Sequence, residues 1–66
     1  MIYKFKELPT DMEMEVELMK EGVDYVSISI KDIDDSQWQT INLEKDDVYK
    51  LIGALHLLHK EMRNHE

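Results

Sequence analysis

The chain has 66 residues, eight Lys and Arg against fifteen Asp and Glu, a formal charge of −7 with neutral histidines, and no cysteine. A chain this short buries only about 60% of the surface its unfolded form exposes, which predicts one domain over residues 1–66 without a deep cleft. These numbers exclude disulfides, thiolate nucleophiles and Cys-based metal sites, and they argue against a self-contained enzyme and against unaided binding to a phosphate backbone.

The first four elements repeat with period two. Met1, Tyr3 and Phe5 alternate with Ile2, Lys4 and Lys6, and Leu8-Pro9-Thr10-Asp11 follows, where proline pre-sets the φ of a turn. No apolar h-region lies in this start, so a secretory signal is not expected. From Asp11 to Lys20, Met12, Met14, Val16 and Leu18 alternate with Glu13, Glu15 and Glu17, the clearest strand pattern in the chain. Tyr25 to Lys31 sets Val26, Ile28 and Ile30 against Ser27, Ser29 and Lys31. Gln37 to Leu43 places Ile41 and Leu43 opposite Trp38, Thr40 and Asn42. Tight connections at Pro9-Thr10, Glu21-Gly22-Val23 and Ile33 to Ser36 make these four an antiparallel meander.

After Leu43 the period becomes helical. Val48, Leu51, Ile52, Leu55, Leu58, His59 and Met62 fall on one stripe about 120° wide, which predicts a helix from about Lys45 to Asn64 whose stripe faces the sheet. Glu44, Asp46 and Asp47 suit its positive end, and Lys60 and Arg63 its negative end. The apolar run Leu51 to Leu55 stops at His56, far short of the roughly 20 residues of a membrane span. The expected fold is α+β, a four-stranded antiparallel meander with one C-terminal helix packed on one face (ββββα). With no cysteine and no targeting signal, the expected location is cytoplasmic.

Register follows from keeping apolar residues opposite apolar residues. The Pro9-Thr10 turn pairs Phe5 with Met14 and Tyr3 with Val16 on the inner face, and Lys6 with Glu13 and Lys4 with Glu15 on the outer face. The Ile33 to Ser36 loop pairs Ile28 with Ile41 and Val26 with Leu43 inside, and Lys31 with Trp38 and Ser29 with Thr40 outside. The outer lysines offset Glu13, Glu15 and Glu17, so the surplus charge collects at the sheet ends. Glu7, Asp11, Asp32, Asp34 and Asp35 mark one end, and Glu21, Asp24, Glu44, Asp46 and Asp47 the other. Such residues serve turns and helix starts through local hydrogen bonds. As an array they also imitate phosphates and attract a basic surface over long range.

Catalytic and metal chemistry finds no footing in these spacings. Asp32-Ile33-Asp34-Asp35-Ser36 resembles the start of a calcium loop, but Gln37 and Leu43 stand where the turn glycine and the bidentate glutamate belong. His56 and His59 are three apart without a neighbouring carboxylate at a ligand position. No nucleophile elbow or phosphate loop surrounds Ser27, Ser29, Ser36, Gly22 or Gly53. No catalytic residue, metal or other cofactor is assigned. The methionines Met12, Met14 and Met62 are expected to fill core gaps. Trp38 is expected on the outer face beside Lys31, as a cation-π pair or a partner contact.

The run Trp38-Gln39-Thr40-Ile41-Asn42-Leu43, with Val48, Leu51, Ile52 and Leu55 after it, resembles the last strand and helix of PC4-like single-stranded DNA-binding modules. The resemblance implies a strand meander with one C-terminal helix, and dimerisation. That family's binding surface is basic and aromatic, whereas this sheet is neutral outside and acidic at its ends.

The expected function is that of a small, non-catalytic, acidic accessory or inhibitory protein. Through protein-protein interaction it would bind a basic site on a larger protein, such as one that handles nucleic acid, in the manner of a DNA mimic. Asp11, Lys31, Asp32, Asp34, Asp35 and Trp38 are the expected partner-binding residues. The alternative is direct single-stranded nucleic-acid binding on the outer face by Trp38 and Tyr25 with Lys4, Lys6 and Lys31. A homodimer is also expected, because a 66-residue domain without disulfide or metal is marginally stable. Leu57 and Ala54 on the helix back, with Lys50 approaching Glu61 of an antiparallel mate, form the expected contact, of micromolar strength.

Overall fold

The period-two stretches become four strands and the helical stretch one helix in the computed structural model, which describes residues 1–32, 34 and 36–63. Strands β1 (Ile2–Lys6), β2 (Glu13–Glu21), β3 (Val23–Lys31) and β4 (Gln39–Leu43) form one antiparallel sheet in that order, and α1 (Lys45–Glu61) follows. The register is the one that apolar and charge matching dictate. Tyr3 opposes Val16, Phe5 opposes Met14, Lys4 opposes Glu15 and Lys6 opposes Glu13. Across the other edge Val26 opposes Leu43, Ile28 opposes Ile41 and Ser29 opposes Thr40.

The connections refine the expected strand ends. After β1, Glu7 N donates to Met12 O at 2.9 Å and Asp11 N donates to Glu7 O at 2.8 Å, closing a loop of Leu8, Pro9, Thr10 and Asp11. Asp11 takes the left-handed conformation (φ 57°), which a short polar side chain tolerates, so β2 starts at Glu13 instead of Asp11. Gly22, at φ 76°, completes the next reversal alone. Glu21 and Val23 therefore already pair, and β3 begins two residues before Tyr25. The last strand begins at Gln39, two residues after Gln37. Ile33 and Asp35 of the expected loop lie outside the described residues.

Glu44, extended at φ −77° and ψ 173°, starts α1 by accepting Val48 N–H on its carbonyl at 2.9 Å, without a side-chain cap. Asp46 and Asp47 occupy the first turn, and His59 and Lys60 the last. The helix stops at Glu61 because Met62 turns extended (φ −71°, ψ 138°) while its N–H donates to His59 O. This is shorter than the expected end at Asn64, which lies outside the described residues.

How far the sheet covers the helix is where the structure departs from expectation. Among the described residues α1 touches only β3 and β4, where half-buried Val48 shares a groove with Leu18, Val26 and Leu43. Beyond that first turn the stripe leaves the sheet, so that Leu55 is 55% exposed and Leu58 62%. On the inner face Phe5 and Ile41 are each 57% exposed, and no described residue is buried. Met12 is only half-buried, and Met14 and Met62 are exposed, so none of them fills a core. Glu44 alone separates β4 from α1, so the helix starts beside the edge strand with no longer loop to carry it back across the sheet. The result measures 46 × 32 × 17 Å.

Candidate interaction surface

The outer face of the sheet is a mesh of paired charges. Lys4 Nζ lies 3.8 Å from Glu15 Oε1, and Lys31 Nζ lies 3.6 Å from Glu13 Oε2. Lys6 opposes Glu13 in register, yet its ammonium lies 3.7 Å from Asp11 Oδ1, because the left-handed turn brings that carboxylate over the end of β1. Ser29 Oγ and Thr40 Oγ1, directly opposite across β3 and β4, share a hydrogen bond of 2.9 Å. Each of these ion pairs is at least partly open to solvent and contributes about 0–1 kcal/mol, so the mesh sets surface charge more than stability.

At the end of the sheet shared by the β1–β2 and β3–β4 loops, Lys31 Nζ also lies 5.0 Å from the centroid of the Trp38 ring. That distance is within cation-π range, and Trp38 remains 38% exposed. Next along the chain, Asp32 and Asp34 are exposed, and Asp32 Oδ1 accepts Asp34 N–H at 3.3 Å. Among the described residues neither carboxylate enters an ion pair. The fold thus gathers Lys31, Asp32, Asp34 and Trp38 at one end, with Asp11 beside Lys6 at the same end. Asp35 lies outside the described residues. Asp11 carries a structural role in its turn, which sequence spacing did not reveal.

Ala54, Leu57, Lys50 and Glu61 are all exposed on α1. Leu57, at 64%, is about as open as Leu58 of the stripe at 62%, so exposure does not single out the helix back. The larger feature, missed by sequence reasoning, is the uncovered inner face and stripe. Its signal was present in the single residue between Leu43 and Lys45. His56 and His59 are exposed, and among the described residues no three His, Asp or Glu side chains come together as a metal site. No described helix is long and apolar enough to cross a membrane. Comparison with protein-family models, curated proteins and solved structures gives no match.

Proposed function

We propose that this chain acts without catalysis, as an acidic accessory or inhibitory protein that binds a basic site on a larger protein. One observation carries the reading: Lys4, Lys6 and Lys31 are each held by a carboxylate, while Asp32 and Asp34, at the same end of the sheet as Trp38, are exposed and enter no ion pair among the described residues. A half-exposed tryptophan at the end of the sheet that also carries exposed carboxylates suits a contact in which the aromatic ring provides the anchor and the charges steer the approach. A partner site evolved for nucleic-acid phosphates has the matching chemistry, which makes DNA mimicry the specific form of the proposal.

The experiment is capture from host lysate on immobilised chain, eluted in a salt series, followed by association kinetics with the retained protein. Replacing Asp32, Asp34 and Asp35 by Asn is expected to slow association about tenfold at low salt and to flatten its salt dependence. Unchanged kinetics in the triple variant would remove the proposal. The competing reading, nucleic acid on the outer face, needs free lysines, and the ion pairs of Lys4, Lys6 and Lys31 weigh against it. Quenching of Trp38 fluorescence by single-stranded oligonucleotides at low salt, absent in Lys31→Ala, would favour that reading instead.

A further inference from the structure

A monomeric protein of 7.9 kDa folded around its own core exposes about 4,400 Å². This chain exposes 6298 Å², an excess of about 1,900 Å². Its radius of gyration is 14.0 Å, against about 11 Å for a compact chain of 66 residues. Two apolar surfaces contribute to the excess. One is the inner sheet face, with Phe5, Ile30 and Ile41, and the other is the α1 stripe, with Ile52, Leu55 and Leu58.

We propose that the chain is an obligate homodimer with one core, built from the inner sheet faces and the α1 stripes of both copies. Three features identify a second copy as the occupant. First, a stripe spaced to lie on a sheet and a sheet face without a cover are present on the same chain, and its own geometry keeps them apart. A two-fold pair supplies each surface with its complement in one isologous contact. Second, covering about 1,900 Å² on each copy buries about 3,800 Å² in all, within the range of obligate homodimers. Third, the six residues named are uncharged, and the described strand carboxylates lie on the outer face or at the sheet ends, with Asp24 at the far end of the inner face and Glu61 outside the α1 stripe. The apolar patch on each copy of charge −7 therefore carries no carboxylate of its own. This surface is distinct from the Leu57 side of the helix, and its area supports tighter association than one leucine pair would.

Sedimentation equilibrium on the full chain tests the proposal. The expected mass is about 16 kDa, twice 7.9 kDa, from roughly 1 µM to roughly 100 µM, with a thermal midpoint that rises with concentration. Leu57→Glu is expected to keep both mass and circular dichroism, whereas Leu55→Glu is expected to lose dimer and fold together. Because Leu55→Glu could fail to fold for local reasons, an isotope-filtered NOE experiment on mixed labelled and unlabelled wild type gives a second reading. It is expected to show contacts between copies that join Leu55 or Leu58 methyls to Ile41 or Phe5. A folded wild-type monomer, an unfolded wild type that needs another protein to fold, or contacts between copies through Leu57 would each overturn the proposal.

Discussion

Two glycines receive opposite instructions from the backbone. Gly22 sits at φ 76°, a conformation that costs any residue with a Cβ, although nothing lies within 4 Å of where that Cβ would be. Gly22→Ala is therefore expected to destabilise the protein by about 1 kcal/mol through backbone strain alone. Gly53 is inside α1 and also has nothing within 4 Å of its Cβ position, so Gly53→Ala is expected to stabilise by about 0.5–1 kcal/mol. Urea titrations of the two variants check both signs. The same scale shows what a sequence can reveal of a site. Lys31 and Trp38 meet one residue beyond the last paired positions, Ile30 and Gln39, and that placement was legible from alternation. The pairing of Lys6 with Asp11 was not, since it depends on one left-handed residue that spacing does not announce.

The strands are legible because two independent patterns agree on them. Apolar alternation and the opposition of Lys4 to Glu15 give the same β1–β2 pairing, so a shift by one residue would break both. The helix is legible from its stripe, but its placement is not, because periodicity says which face is apolar and nothing about where the backbone points it. Here α1 follows β4 after the single extended residue Glu44 and meets the sheet only at β3 and β4 among the described residues. Glu44 is also a weak start, as no side chain satisfies the first N–H groups. Glu44→Ser is expected to stabilise α1 by about 0.5–1 kcal/mol by supplying a hydroxyl acceptor, read as a higher urea midpoint with unchanged m-value.

At the scale of the whole molecule, the three outer-face ion pairs are too exposed to offset the surplus of seven negative charges. Repulsion among the carboxylates at the sheet ends therefore exceeds local attraction. Raising ionic strength from about 0.02 M to about 0.3 M is expected to raise the thermal midpoint by a few degrees, and a fall would mean that the ion pairs dominate. The one-residue reversal at Gly22 also orders events in time. It joins two strands of nine residues each through neighbours in sequence, so this hairpin closes its hydrogen bonds with little loop entropy to overcome. β1 and β4 then add to its two sides, each from a short loop. Hairpin closure of this kind is a local step on the microsecond scale, and in the proposed homodimer burial of the α1 stripe waits for an encounter between molecules.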